Sequence, residues 1–328
     1  MPCLFFSFPT DSFTTIMQPV LGTPEDRDNC CLASRLMPLS TVHYIITHKN
    51  CPDGIAAAFL LDKPTIFVDP GVEVSEKVLG RVAGKNVLMI DIAPATDVDF
   101  EKYDSAASKF LVLDHHVSNT SKYNARPNFI ACDELSGVSA AYYYSQKEFT
   151  QQALQVVHHV HQRDLWSWSG TPEEIRESKA FSLALSTALR GITSESGVKF
   201  IKQVCHDHDM YDCIMAQGVI ALADIDNKTS EIKTLVTRGR LHDIDVAAID
   251  MTERSHLRIA INEAGNKIAE ELGCIVMFIT HTSNVYCSLR GNNCLELALK
   301  FNGGGHANAA GFSMSPEAYT ELIVPFIF

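Results

Sequence analysis

The chain has 328 residues, 46% of them hydrophobic and 20% charged, which is long enough for two hydrophobic cores and is the composition of an ordinary soluble globular protein. Its formal net charge of −12 opposes non-specific binding to a nucleic-acid backbone, because repulsion from phosphates has to be overcome locally by metals or a basic pocket; short or mononucleotide-sized substrates suit it better than long duplex. The ten cysteines are scattered without a CxxC pair, which fits reduced thiols in the cytoplasm better than a disulfide framework.

Residues 1–40 read as a mostly irregular N-terminal extension. The apolar run from Leu4 to Phe8 is too short to span a bilayer and lacks a basic flank. Arg27 and Arg35 stand against Asp11, Glu25, Asp26 and Asp28, which is poor support for a transit peptide. No membrane span is expected anywhere. At Val42 the texture changes. VHYIIT is a compact β-branched run ending at His48, and DGIAAAFLLD after it has the Ala-rich pattern of a buried helix. The same shape recurs at NVLMID, residues 86–91, and at FLVLD, residues 110–114, with a helix predicted over 97–108 between them. Strands alternating with helices predict an α/β fold: a parallel, doubly wound sheet with helices on both faces.

Residues from about Gly137 to His208 lack strand runs and read as the helical second half of this domain, including QALQVVHHVHQRDLW, whose apolar positions recur at helical spacing. The helical pattern continues to about Arg240 with more Lys, Thr, Asp and Asn, as in a partly solvated linker. A smaller α/β domain follows, with strands near 243–250, 274–280 and 284–290 and a helix over 255–272. The predicted division is therefore a 1–40 extension, a 41–208 catalytic domain, a 209–240 linker helix and a 241–328 substrate-binding domain.

Three apolar strands each deliver metal-capable side chains at the carboxyl end: His48 with Asp53 just after, Asp91, and Asp114 with His115 and His116. In open α/β sheets those ends line one crevice. A lone Asp in such a place is usually a turn residue or a helix cap, but three strands ending alike, with a double His, point to a shared site. Carboxylates and imidazoles suit Mn²⁺ or Mg²⁺, and the absence of paired cysteines argues against structural zinc. Other groups take the ordinary reading. His158, His159 and His161 are expected at a helix surface or core edge, CHDHDM at 205–210 is a solvated turn or cap, and Trp166 and Trp168 are packing residues with a base-stacking role as the alternative.

These residues carry a resemblance. LVLDHH, residues 111–116, resembles the signature of the DHH superfamily of phosphoesterases; THKNCPDGIAAA, residues 47–58, resembles its first motif, MIDIAP its second, and RDLWSW its fourth, with Asp164. LRG at 289–291 and GGGHANAAGF at 303–312 resemble the associated C-terminal substrate domain, DHHA1. The HxNCPDG and RDLW forms are most similar to the branch described as nano-RNase (oligoribonuclease) or cyclic-nucleotide phosphodiesterase-like.

The resemblance implies two divalent cations, Mn²⁺ preferred or Mg²⁺. His48 and Asp91 would hold the first; Asp53, Asp91, His115 and Asp164 the second. Asp114 would orient this shell and His116 would face the substrate phosphate. Arg290 can grip a phosphate bidentately, Gly303, Gly304 and Gly305 let backbone N–H groups approach it, and His306 can donate to the same group. One departure stands out: many members have an Asp two residues after the first-motif His, where this chain has Asn50, either a weaker neutral ligand or a turn cap displaced by the Cys51–Pro52 step. The expected function is hydrolysis of phosphodiester bonds in short oligonucleotides or nucleotide-sized substrates. The alternatives are an inorganic pyrophosphatase or polyphosphatase, and a non-catalytic nucleotide-binding protein. The partner is thus a small phosphate ester, with a homodimer left open.

Overall fold

The runs 44–48, 86–90 and 109–114 are apolar at nearly every position, as strands covered on both faces must be, and they form the middle of a five-stranded parallel sheet. The computed structural model describes residues 37–132 and 134–327; the expected extension over 1–40 lies almost wholly outside them. The sheet contains β1 (Tyr44–His48), β2 (Thr65–Val68), β3 (Asn86–Ile90), β4 (Lys109–Asp114) and β5 (Phe129–Ala131), in the order β2-β1-β3-β4-β5.

Alternation along the strands divides the core. Ile45, Leu88, Ile90, Leu111 and Leu113 point to one side, and Ile46, Val87, Met89, Phe110 and Val112 to the other. On the second side lie α2 (Glu76–Val82), α3 (Asp97–Ala106) and α4 (Val117–Tyr123), contributing Val82, Phe100, Tyr103 and Tyr123. The first side is covered by α1 (Pro52–Leu61), α5 (Gly137–Ser145), α6 (Gln151–Asp164), α7 (Pro172–Ala188) and α8 (Ser194–His206). The fold is thus the doubly wound α/β arrangement expected, and the helical second half supplies α5, α6, α7 and α8 of one layer. The chain leaves β1 toward β2 on one side and returns to β3 on the other, so the carboxyl ends of β1 and β3 flank a topological switch point.

The described residues form two compact units, one of 37–115 with 119–215, the other of 116–118 with 216–327. The helix α9 (His208–Lys233) carries the chain from the first to the second. Where the linker helix was expected to reach residue 240, it stops at Lys233 and β6 (Thr237–Leu241) begins, pairing antiparallel with β7 (Ile244–Asp250). TRGRL has exposed charged residues and a glycine, so its pattern resembles a solvated helix end; pairing at a sheet edge overrides it. The second sheet continues with β8 (Ile275–His281), β9 (Val285–Arg290), β10 (Gly304–His306) and β11 (Ala309–Met314), in the order β10-β11-β9-β8-β7-β6. Only β7 and β8 are parallel. The expected helix over 255–272 is a 3₁₀ turn, Ser255–Ala260, followed by α10 (Ile261–Leu272). Among the described residues, no helix is long and apolar enough to cross a membrane.

Candidate metal centre

β1 and β3 are neighbours, with Thr47 opposite Ile90, so His48 and Asp91 leave the sheet side by side. Asp91 follows β3 in a left-handed conformation, φ 63°, an uncommon backbone state for a residue with a Cβ. After His48 the chain turns through Asn50, also left-handed at φ 57°, whose N–H donates to Ser194 Oγ at 3.1 Å. Pro52 then opens α1, where a missing N–H costs no intrahelical bond. Asp53 follows in the first turn, 1% exposed. Its carboxylate accepts from the N–H of Gly137 at 2.5 Å and of Val138 at 2.9 Å. The positive end of α5 therefore points at it.

β4 ends at Asp114, whose Oδ1 accepts the N–H of His115 at 2.9 Å and whose Oδ2 accepts from the Asn119 amide at 2.6 Å. His115 is buried, with Nε2 3.2 Å from Asp91 Oδ1 and 3.3 Å from Asp164 Oδ2. Asp164 comes from the last turn of α6. Among the described residues of the first unit, two groups of side chains each offer ligand atoms within 4.8 Å of one another: His48, Cys51 and Asp91; and Asp53, His115 and Asp164. His116 is half-buried and falls in the second unit. Asn50 is exposed.

The electrostatics fit a cation. Burial pushes the Asp91 carboxyl well above the usual carboxylate range, and Asp53, Asp164 and Asp114 add to the effect. Asp91 Oδ2 is buried with no hydrogen-bond partner. Carboxylates packed this way repel one another unless positive charge sits among them, and a buried unpaired oxygen costs stability unless something coordinates it. Burial, with Asp91, Asp164 and Asp53 adding to it, pushes the Cys51 thiol well above its ordinary value.

Two residues here, Gly137 and Cys51, were not assigned to the site in the sequence, and a third, His161, was given an ordinary role. Gly137 has no room for a side chain: a Cβ would lie 2.3 Å from Asp91 Cβ and 2.8 Å from Asp53 Oδ2. Cys51 joins His48 and Asp91. His161, expected at a surface or core edge, is buried one turn before Asp164; burial pulls its pKa down to about 4, and its Nδ1 has no hydrogen-bond partner. Its spacing of three residues from Asp164 on a helix was the available signal. The neighbouring His159 is a satisfied core residue, bonded to Ser178 Oγ at 2.7 Å and Tyr211 OH at 2.9 Å. Asp207 caps α9 through Met210 N–H, the ordinary role expected of that segment. Trp166 and Trp168 pack edge to face, under Arg163 and Lys179 respectively.

In the second unit, the register sets His306 opposite Ala309, and Ala309 opposite Arg290. Directly opposed residues share a sheet face, so His306 and Arg290 project to the same side two strands apart, roughly 10 Å between backbones. Arg290 donates through Nε at 3.0 Å and a terminal nitrogen at 2.6 Å to Asn262 Oδ1. Gly265 makes space for it: a Cβ there would meet Arg290 Cγ at 2.7 Å. The GGGH segment, expected as a phosphate loop, is partly a strand, Gly304–His306 pairing with β11. Gly303 and Gly305 are required by packing, with a Cβ meeting Gly311 O at 2.2 Å and Ala309 O at 2.6 Å, whereas Gly304 faces open space.

No family model matches the chain. It is 22% identical over 312 residues to the uncharacterised protein R106 of Acanthamoeba polyphaga mimivirus, covering 84% of this chain and 68% of that one. Among solved structures, it is similar to the DHH domain of a protein described as a member of the s1p family of ribosomal proteins, with a TM-score of 0.55, 11% identity, and coverage of 95% of this chain and 94% of that one. It is also similar to the exonuclease RecJ bound to manganese, with a TM-score of 0.51, 12% identity, and coverage of 90% and 91%. The class is thereby defined: the chain has the DHH fold.

Proposed function

We propose that this chain is a divalent-cation-dependent phosphoesterase of the oligoribonuclease type, hydrolysing phosphodiester bonds of short oligonucleotides or nucleotide-sized substrates. One observation carries the reading: two groups of His, Asp and Cys side chains stand at the switch point, linked where His115 Nε2 lies 3.2 Å from Oδ1 of the buried, strongly perturbed Asp91, whose Oδ2 has no partner. The manganese-bound exonuclease RecJ, on the same fold, supports the choice of chemistry.

In this reading His48 and Asp91 hold one cation, and Asp53, Asp91, His115 and Asp164 the other. Bound divalent cations supply activation of water near neutral pH and offset the charge that develops on the phosphorus oxygens. The protein's own groups set the geometry. Asp114 fixes the His115 backbone and is itself held by Asn119, so His115 Nε2 stays between Asp91 and Asp164. The N-terminus of α5 orients Asp53 through two N–H groups. His116 is assigned to the substrate phosphate. Arg290 and His306, on one face of the second sheet, supply charge-assisted donors for phosphate oxygens, and the open flank of Gly304 admits a ligand close to the backbone.

The test is a panel of ribodinucleotides, short RNA, cyclic dinucleotides and pyrophosphate with Mn²⁺, following mononucleotide and inorganic phosphate. Mononucleotide release from short RNA or a dinucleotide is the expected result. Turnover of pyrophosphate alone would move the protein to the pyrophosphatase class.

A further inference from the structure

We infer that Cys51 is a thiolate ligand of the first cation, alongside His48 and Asp91, and that this site takes a softer metal than the second. The inference rests on the metal-dependent reading above and adds the identity of one ion. Its geometry comes from the turn after β1. Asn50, at the position where a carboxylate would be expected, is exposed and left-handed, and its N–H is tied to Ser194 Oγ. That conformation carries the next residue inward as the N-cap of α1, and Cys51 Sγ lies within 4.8 Å of ligand atoms of His48 and Asp91.

A second, independent observation identifies what the thiol shares. Asp91 is 1% exposed and its Oδ2 has no hydrogen-bond partner. This oxygen lies 3.1 Å from where a Cβ on Gly54 would stand, with His48 O also beside that position, so it faces the turn that carries Cys51. A buried carboxylate oxygen left without a donor beside an imidazole and a thiol is a donor set lacking its acceptor.

Coordination would proceed by loss of the Cys51 thiol proton to solvent as the Sγ–metal bond forms; no oxidant or reductant is involved. The first site then offers nitrogen, sulfur and oxygen, a set that favours Zn²⁺, Co²⁺ or Fe²⁺ over Mg²⁺. The second, with one imidazole and three carboxylates, suits Mn²⁺ or Mg²⁺. Asn50 need not ligate, because the residue after it does.

Titrating the full chain with Co²⁺ tests this. Bound Co²⁺ should give visible ligand-field bands and, in the wild type, a near-ultraviolet sulfur-to-cobalt charge-transfer band. That band should be lost in Cys51→Ser and kept in Cys213→Ser, an exposed control. Zn²⁺ affinity should fall at least about 10-fold in Cys51→Ser while Mg²⁺ affinity changes little. Ligand-field bands without charge transfer in the wild type overturn the Cys51 assignment and leave the metal centre standing. Absence of any bound-cobalt spectrum overturns the metal centre itself and Cys51 with it. If Cys51→Ser fails to fold, alkylation of the wild type mapped by mass spectrometry decides the matter: Zn²⁺ must protect Cys51 and not Cys213, and equal labelling refutes coordination.

Discussion

Replacing Gly137 by Ala places a methyl carbon 2.3 Å from Asp91 Cβ, 2.7 Å from Asp91 Cγ and 2.8 Å from Asp53 Oδ2. Asp91 Cβ is fixed by a strand end in a left-handed conformation, so it cannot swing aside as a long side-chain tip would. Either α5 retreats, stretching the bonds from Gly137 and Val138 N–H to the Asp53 carboxylate, or Asp91 leaves its place. Overpacking and weakened hydrogen bonds to a charged group together cost about 3 kcal/mol. For a domain of this size that lowers Tm by roughly 6–12 °C. Both routes disturb a centre that needs tight geometry, so Mn²⁺ affinity should fall at least about 10-fold, as when supporting partners of a metal site are lost. Calorimetry and metal titration of Gly137→Ala, beside Gly80→Ala, provide the assay. Gly80 sits in α2 with nothing within 4 Å of its Cβ position, and Ala there should be neutral or stabilise by about 0.5–1 kcal/mol. Wild-type Tm and metal affinity in Gly137→Ala would refute the close-approach argument.

Further outcomes follow from the same geometry. His159 is held neutral by burial, its pKa pulled down to about 3. The unfolded chain therefore binds the extra proton first, and stability present above about pH 6.5 is lost as pH falls, by about 2 kcal/mol at pH 5 from this group. His159→Gln, which keeps hydrogen-bonding capacity toward Ser178 and Tyr211, should flatten the acid limb of a Tm-against-pH curve; an unchanged limb would contradict it. Arg290→Ala should raise KM for a dinucleotide with a smaller change in kcat, by about 10-fold for one lost charge-assisted contact; steady-state kinetics equal to wild type would remove its phosphate role. Asn50→Asp should leave the metal titration unchanged, since Asn50 is exposed and Asp tolerates φ near 57°; a tightened stage of binding would show that residue 50 reaches the metal.

What was legible in the sequence was what single strands and their ends encode. β1, β3 and β4 are continuous apolar runs that finish on His48, Asp91 and Asp114, and their type and place in a parallel sheet follow from that pattern alone. Short strands were not legible. FIA at β5 and TIFV at β2 are too brief to carry a period, and TRGRL at β6 looks like the solvated end of a helix until it meets an edge. The GGGHANAAG segment has almost no β-branched residue, so its pairing as β10 and β11 depends on the space its glycines leave against neighbouring backbone. At the centre, the carboxylates and imidazoles were visible as residue types after strands. Gly137 and Cys51 were not, because one acts through the side chain it lacks and the other through a turn that Asn50 and Ser194 define across a separation of 144 residues.

The central claim is that hydrolysis depends on a cation held at the switch-point cluster. The most direct measurement is release of mononucleotide from a ribodinucleotide by protein stripped with a chelator, before and after Mn²⁺ is restored, with Asp91→Asn alongside. The account predicts no product from the stripped protein, recovery on adding Mn²⁺, and none from a folded Asp91→Asn at any Mn²⁺ concentration. Undiminished hydrolysis after metal removal, or wild-type turnover by Asp91→Asn, would contradict it.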